Sequence, residues 1–111
     1  MCNLNSIIIE GKLIADAKHE KTSSGTPLCT FVLESDRVFR DGTELIQEVS
    51  YFEVGACGHV CTSCADMLTK DSSVRIVGRL KQERSQEKDG KFSSKVIIVA
   101  EHIERKPIFE D

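Results

Sequence analysis

Residues 60–68, VCTSCADML, decide the fold predicted for this chain of 111 residues. Their apolar positions are Val60, Cys61, Cys64, Met67 and Leu68, a spacing that is typical of one face of an amphipathic helix. The segments before and after them alternate apolar and polar residues with period 2, which is typical of β-strands. The sequence therefore predicts a single helix that begins after Gly58 and lies between strands.

Five strands are predicted around this helix, three before it and two after it. They cover residues 7–13, 29–33, 46–57, 74–81 and 92–100. Asp-Gly pairs at residues 41–42 and 89–90 predict hairpin turns, because Asp-Gly supplies the positive φ angles that tight hairpins require. In the third strand, the more apolar face predicts that Phe52 and Val54 point into the core and that Tyr51 points outward.

This order of elements is that of the OB-fold, a Greek-key barrel that binds oligonucleotides or oligosaccharides on a curved sheet face. We therefore expect an all-β fold, namely a five-stranded OB-fold barrel with one helix between the third and fourth strands. A length of 111 residues fits one domain. We assign residues 1–104 to the barrel domain and residues 105–111 to a short polar C-terminal tail.

The composition is that of a globular chain, with 40% hydrophobic and 30% charged residues. No apolar run approaches the ~18–20 residues of a membrane span, and no basic-then-apolar leader opens the chain. We therefore expect a cytoplasmic, nucleoid-associated protein rather than a membrane or secreted one. The five cysteines are an odd number, so we expect reduced thiols rather than a disulfide framework.

The charge is distributed unevenly along the chain. The formal net charge is −3, yet residues 70–95 contain eight basic and four acidic residues, a net charge of +4. A surface with this asymmetry attracts polyanions although the whole chain is acidic. A charged, solvated hairpin without a partner is the alternative explanation.

Several ordered segments resemble the bacterial and mitochondrial single-stranded DNA-binding protein family. The segments are NSIIIEGKL at residues 5–13, CTFVL at 29–33, YFEV at 51–54, LTK at 68–70, VRIVGRL at 74–80 and DGK at 89–91. The resemblance covers about residues 5–103, which is nearly the whole chain. It implies an OB-fold, usually a homotetramer, that binds single strands without reading their sequence.

Binding of this kind needs cations that hold phosphates and exposed aromatic rings that stack on bases. The resemblance implies base stacking by Phe39, in the loop after the second strand, and by Tyr51. The candidate contacts to the DNA backbone are Arg40, Lys70, Arg79, Lys81 and Arg84. A satellite apolar cluster for Phe39 and an ordinary barrel-rim position for Tyr51 are the alternatives, since exposed apolar residues alone prove little.

The chain departs from the family pattern at several positions. Two positions that commonly hold stacking aromatics hold Cys57 and Ser85, and Glu53 and His59 stand where the family is often basic. We therefore expect weaker binding per protomer, with a larger share from phosphate contacts. The family's long acidic tail is expected to be missing, and residues 108–111, IFED, are not expected to dock partner proteins.

Residues 57–64, CGHVCTSC, also suggest a zinc site, since thiolates and imidazole are preferred zinc ligands. Cys61 and Cys64 lie on the apolar stripe of the helix, however, where cysteine packs as a small hydrophobe. We therefore expect packing, with no metal and no cofactor, and keep a redox-sensitive site as an alternative. The sequence has neither a Gly-rich phosphate loop nor a His-Glu-x-x-His motif, and we do not expect an enzyme.

The sequence thus predicts a homo-oligomeric protein, expected to be a tetramer, that binds single-stranded DNA. It is expected to protect exposed strands during replication, recombination and repair, with replication and repair proteins as candidate partners. The alternative is an OB-fold accessory module of the primosome type, which contacts partner proteins and binds nucleic acid weakly. Charge reversal of Lys81 and Arg84 distinguishes the two hypotheses, because only the first requires these cations.

Overall fold

The structure, a computed structural model, describes residues 2–107. Its strands are β1 (Ile7–Leu13), β2 (Lys18–Lys21), β3 (Pro27–Asp41), β4 (Glu44–Cys57), β5 (Ser73–Gln86) and β6 (Phe92–Arg105). Between β4 and β5 lie α1 (His59–Ser63) and a 3-10 helix (Ala65–Met67). The predicted tail includes residues 108–111, which lie outside the described residues, and the proposed domain boundary at residue 104 stays a prediction.

Strand β1 closes the barrel because it pairs with two different strands. It runs antiparallel to β5 along most of its length, and its end also pairs with β3, where Leu13 lies opposite Leu33. The other neighbours follow the order β5-β6-β4-β3, with β4 and β6 parallel. Five strands thus form a closed ring, and the predicted OB-fold barrel with a helical segment between its third and fourth long strands is confirmed.

The core fills the inside of this ring and is closed at one end by the helical segment. Leu13, Leu33, Val54 and Ile76 are fully buried inside it, and the predicted inward position of Val54 is confirmed. The helical segment adds Cys61, Cys64 and Leu68, which lie on the predicted apolar stripe. The period-2 and helical patterns of the sequence therefore describe the barrel interior correctly.

Beyond the barrel, two pairs of strands continue as hairpin arms. The β3–β4 arm comprises residues 35–50 and the β5–β6 arm comprises residues 82–96. Gly42 and Gly90 occupy their turns with φ of 63° and 86°, as the Asp-Gly pairs predict. Phe52 shares the inner side of β4 with Val54, but the prediction that it lies in the core is wrong, because it stands where the arms leave the barrel and is 39% exposed.

Two other differences from the sequence prediction have local causes. Strand β2 is missing from the prediction because its four residues, KHEK, are all exposed and show no apolar alternation. The helix is shorter than predicted because α1 ends at Ser63, whose hydroxyl donates to the His59 carbonyl at 2.7 Å. Serine side chains compete with helical hydrogen bonding in this way. None of the helices within residues 2–107 has the length and apolarity that crossing a membrane requires.

The expectation that all cysteines are reduced thiols is wrong for one pair. Cys29, on the inner face of β3, and Cys61, on the buried stripe of α1, form a disulfide with their Cα atoms 5.5 Å apart. No local sequence pattern indicates this pairing, because the two residues meet only when the helix packs against the barrel. Cys64 is a buried thiol, in agreement with the predicted packing role, whereas Cys2 and Cys57 are exposed thiols.

Gly78 gives a test of barrel packing. A Cβ at Gly78 would collide with the backbone carbonyl of Val99, at the point where the β5–β6 register shifts. We expect Gly78→Ala to lower the free energy of unfolding by about 1–3 kcal/mol, as overpacking against rigid backbone does. Gly55→Ala is the control, since a Cβ at Gly55 meets no atom within 4 Å. Urea denaturation checks both variants, and equal stability of the two would contradict the packing described.

Candidate functional site

One outward surface of the barrel collects side chains from three adjacent strands, and we call it the outer face. Its members are Tyr51, Glu53 and Gly55 on β4, Lys95, Ile97 and Val99 on β6, and Arg79, Lys81 and Glu83 on β5. They share this face because Val54 and Ile98, which are register partners, both point into the core. Successive residues of a strand then point to opposite sides.

The centre of the outer face is apolar and lies below the level of the surrounding side chains. Gly55 has open space where a Cβ would stand, and its register partner is Val99. Ile97 is 8% exposed although it is not part of the core cluster, so its neighbours on the face cover it. Tyr51 borders this floor with 60% of its surface exposed, and the predicted outward position of its ring is confirmed. The result is a shallow surface with an accessible aromatic ring beside it.

The charges on the outer face are partly compensated. Arg79 and Lys81 are exposed cations on the β5 side. The ammonium group of Lys95 lies 3.1 Å from both carboxylate oxygens of Glu53, so this lysine offers less free charge to an anion. Lys95 belongs to the basic stretch of the sequence, but its register opposite Glu83 and its ion pair with Glu53 appear only in the folded chain.

A groove borders the outer face on the β3 side. It has a volume of about 210 Å³ and is lined by Lys18, Thr30, Val32 and Glu53, together with the loop at residues 14–16. Lys18 belongs to the short β2 strand and is exposed at this position. The sequence pattern does not point to Lys18 as a site residue, because β2 shows no strand alternation. The groove extends the face toward a further cation.

Phe39 does not lie in a loop, which corrects the prediction. It is part of β3 within the β3–β4 arm, opposite Ile46, and its ring is half-buried. The guanidinium carbon of Arg37 lies 5.1 Å from the ring centroid, a cation–π contact. Tyr51 lies opposite Glu34, so the alternation along β3 directs Phe39 to the other side of the arm. The two predicted stacking rings therefore do not share a surface.

The predicted backbone cations are also divided. Arg40 is six residues from Glu34 on β3, so the two side chains are on the same side of the strand. Because Glu34 is the register partner of Tyr51, Arg40 lies on the same side of the arm as Tyr51, near its tip. Arg84 points to the side opposite Lys81, where its guanidinium donates to Gln82 at 3.3 Å. Lys70 lies after the 3-10 helix, and its backbone amide donates to Asp16 at 2.7 Å. Only Tyr51, Arg79 and Lys81 are brought together, and the roles of all seven residues stay predictions.

Two of the positions that depart from the family pattern, those where the family commonly holds stacking aromatics, lie on the same side of their strands as the outer face. Cys57 is an exposed thiol at the end of β4, in line with Gly55. Ser85 lies on the β5–β6 arm, where its hydroxyl is 2.7 Å from that of Ser93. Neither side chain offers a flat ring, so the surface holds fewer stacking groups than the family pattern implies.

The described residues contain one group of three metal-ligating side chains with ligand atoms within 4.8 Å of one another. It consists of His19, Cys29 and Cys61, and it includes neither Cys57 nor Cys64 of the zinc alternative. In the structure the two sulfur atoms of this group are bonded to each other. Their lone pairs are therefore those of a disulfide and not of thiolates, which are the sulfur ligands that zinc takes.

Residues 4–106 match the model of the single-strand binding protein family. The chain belongs to this family. The resemblance inferred from the sequence is thereby confirmed over nearly the whole chain, and so is the family assignment that carried the site prediction.

Relatives that carry this family's name share about a third of the sequence. The chain is 38% identical over 101 residues to a single-stranded DNA-binding protein of Aquifex aeolicus, covering 90% of this chain and 68% of the relative. It is 37% identical over 106 residues to single-stranded DNA-binding protein 2 of Chlorobaculum tepidum, covering 94% and 72%. The protein of that name from Treponema pallidum is 31% identical, with 94% and 58% covered.

A solved structure supports the fold of the family member described here. A deletion mutant of the single-stranded DNA binding protein from Thermus aquaticus superposes with a TM-score of 0.81 at 24% sequence identity. The match covers 94% of this chain and 51% of the Thermus chain. The chain thus spans between half and about three quarters of the length of these relatives.

Proposed function

We propose that this chain binds single-stranded DNA along the outer face without reading its sequence. The observation that carries the proposal is the position of the exposed Tyr51 ring beside a low apolar floor, with Arg79 and Lys81 on its far side. A base stacked on an aromatic ring contributes about 1–3 kcal/mol, and every base has a face that stacks. Lysine and arginine hold phosphates irrespective of sequence.

The spacing of the strands suits this arrangement. Strands β4, β6 and β5 are consecutive in the sheet, so the side chains of β4 and β5 stand about 10 Å apart, two strand spacings. A nucleotide stacked on Tyr51 then has a neighbouring phosphate within reach of Lys81 or Arg79. The groove beside Lys18 continues the path on the β3 side. Binding per protomer is proposed to be weak, since Cys57 and Ser85 supply no rings.

We propose for this protein the cellular role that its sequence predicts. The chain coats exposed strands in the cytoplasm during replication, recombination and repair, and it acts by binding rather than by catalysis. Replication and repair proteins are its proposed partners. The proposal rests on family membership and on the outer face, and it applies to the segment described.

Self-association into a tetramer is supported by two separate apolar surfaces. A tetramer with dihedral symmetry needs two different self-complementary contacts on each chain. Ile8 on β1 is 71% exposed, and its register partner is the half-buried Val77. A second strip on the β5–β6 arm carries the exposed side chains of Val96 and Phe92. Two such patches are what a tetramer of this symmetry requires.

Charged residues frame the first of these patches. Next to Ile8, Arg75 donates to Glu10 at 3.0 Å and lies 3.3 Å from Glu104. The hydrogen bond to Glu10 raises the pKa of Arg75 above its ordinary value, so the guanidinium keeps its charge throughout the usual pH range. A polar rim around an apolar centre is the common anatomy of protein interfaces.

Charge reversal of single residues tests the DNA proposal. We expect Lys81→Glu to weaken oligo-dT binding about tenfold or more at low salt, and to lower the salt slope by roughly 0.7 for one phosphate contact. The reason is that Lys81 lies on the outer face with Tyr51. Arg84→Glu is expected to weaken binding less, because Arg84 points to the other side of its arm. Lys106→Glu, among acidic neighbours outside this face, is the control.

Two readouts serve this experiment. Anisotropy of a labelled oligonucleotide gives affinity, and intrinsic fluorescence reports on Tyr51 alone, since the chain has one tyrosine and no tryptophan. Fluorescence quenching on titration with oligo-dT is expected. Absence of binding at low salt by the unaltered chain would reject the proposal and leave the accessory-module alternative.

Removal of the Glu53–Lys95 ion pair on the outer face is expected to strengthen DNA binding. We expect Glu53→Gln to tighten oligo-dT binding by about two- to tenfold, since it removes a negative charge from the face and frees Lys95 for a phosphate. The gain is expected to shrink as salt is raised. Asp66→Asn, on the 3-10 helix, makes the same charge change away from the face and is the control. Weaker binding by Glu53→Gln would show that Glu53 itself contributes to the site.

The β1 patch is tested by the oligomeric state. We expect four chains per particle by light scattering, and we expect Ile8→Glu to yield smaller particles because it places charge at the centre of an apolar contact. Leu45→Glu is the control, since Leu45 is 70% exposed but belongs to neither patch. A monomeric parent chain, or an unchanged particle mass in Ile8→Glu, would contradict the proposed assembly.

A further inference from the structure

The Cys29–Cys61 disulfide joins two elements that have no backbone pairing with each other. Cys29 lies on β3, fully buried, and Cys61 lies on α1 with 3% of its surface exposed. The bond spans a sequence separation of 32 residues, which includes all of β4. It therefore ties the helical cap of the barrel to the sheet beneath it.

One residue of the pair borders an accessible groove. This groove, which we call the β2–α1 groove, has a volume of about 570 Å³ and is lined by His19, Lys21, Pro27, Cys61 and Thr62, among others. Cys61 thus forms part of a surface that a small molecule can enter. Cys29 is not among the lining residues, so a molecule in the groove reaches the residue Cys61 before Cys29.

A histidine lies at the other sulfur. The Nδ1 atom of His19 is 3.3 Å from Cys29 Sγ. His19 is exposed on β2 and lies opposite Cys29 in the β2–β3 register, so the strand pairing fixes this contact. A ring nitrogen that carries a proton donates to a sulfur that becomes a thiolate. The site therefore has an approach path to one residue of the pair, Cys61, and a hydrogen-bonding ring nitrogen at the sulfur of the other.

We propose that Cys29–Cys61 is a thiol–disulfide exchange site for a small monothiol of the glutathione class. The thiolate of the small molecule attacks Cys61 Sγ, a new sulfur–sulfur bond forms there, and the Cys29–Cys61 bond breaks. Cys29 leaves as a thiolate that receives a hydrogen bond or the proton from His19. A second small thiolate attacks the small-molecule sulfur of the mixed disulfide, the bond to Cys61 breaks, and Cys61 leaves as a thiolate. The small thiol is released as its oxidised dimer, so two electrons pass to the protein pair. The reverse sequence, starting from that dimer, restores the bond.

The other described cysteines, Cys2, Cys57 and Cys64, are free thiols that lie apart from this pair. Cys64 is buried in the core, with its sulfur 3.6 Å from the Ile103 carbonyl oxygen. Cys57 belongs to the outer face, on the opposite side of β4 from the inward Ala56, which is the register partner of Cys29. Cys2 and Cys57 are exposed and take up the small thiol as single adducts, so conversion of a bonded pair is specific to Cys29 and Cys61 among the described residues. This pair differs in position from the proposed DNA surface.

Opening the bond is expected to loosen the cap without removing the outer face. A disulfide that closes a loop of this length stabilises mainly by restricting the unfolded chain. We expect the melting temperature to fall by about 10 °C or more when the full chain is reduced. Oligo-dT binding below that temperature is expected to change less than about twofold, because Cys29 lies on the inner side of β3 and Cys61 lies on the helical cap, both away from the outer face.

The test uses the full chain in buffers of reduced and oxidised glutathione. Alkylation followed by peptide mass mapping is expected to find Cys29 and Cys61 converted together, with the transient glutathione adduct on Cys61. Cys29→Ser is expected to keep that adduct at Cys61, since no internal thiol displaces it. His19→Asn is expected to slow reduction of the bond about tenfold. His102→Asn is expected to leave the rate unchanged, because His102 lies on β6, which two strands separate from β2.

Three results would overturn the proposal. They are an oxidised chain whose Cys29 and Cys61 both alkylate freely, an adduct that forms on Cys29 in preference to Cys61, and an unaltered exchange rate in His19→Asn. Stoichiometric zinc on the reduced chain, lost in His19→Asn, would instead assign the cluster to a metal. Loss of oligo-dT binding by the parent chain would reject the DNA proposal and leave these results unaffected.

Discussion

The double pairing of β1 decides where the side chains of the barrel point. Because β1 lies against β5 along its length and reaches β3 at its end, five strands form a ring, and alternate residues face inside and outside. A shift of β4 by one residue would place Glu53 in the core instead of Val54. The packing that buries Val54 therefore also holds Tyr51 and Gly55 on the outer face.

The outer face shows how a chain with net negative charge can present a positive surface. Arg79 and Lys81 stand together on β5, while most acidic residues belong to the rest of the chain. The Glu53–Lys95 ion pair is exposed, so it adds little to stability. Its main effect is to reduce the positive potential that a phosphate would meet. Fewer rings and one compensated lysine act in the same direction, toward a weaker and more salt-dependent interaction.

Sequence periodicity described the barrel well and the arms poorly, for a physical reason. Inside the ring, burial forces alternation, so the positions of Val54 and Ile76 follow from the pattern alone. In the arms neither face is buried, and the pattern gives no information on where the strand ends or which side a residue takes. Phe39 was therefore placed in a loop, and Arg84 was grouped with Lys81 although the register separates them. Strand β2 and the Cys29–Cys61 bond depend on tertiary contacts that no local pattern records.

The proposed disulfide exchange and the proposed DNA binding take place on opposite sides of the barrel wall, which is one strand thick. On the inner side of β4, Ala56 lies opposite Cys29 of β3, and the disulfide from Cys29 to Cys61 ties the helical cap to β3. On the outer side, Gly55 and Cys57 belong to the surface proposed to receive a nucleic-acid strand. Side chains on opposite faces of one strand do not touch, so an exchange reaction at the cap changes the stability of the fold more than the shape of the face. Redox conditions would then set how long the binding surface persists, while Tyr51, Arg79 and Lys81 set how tightly it binds.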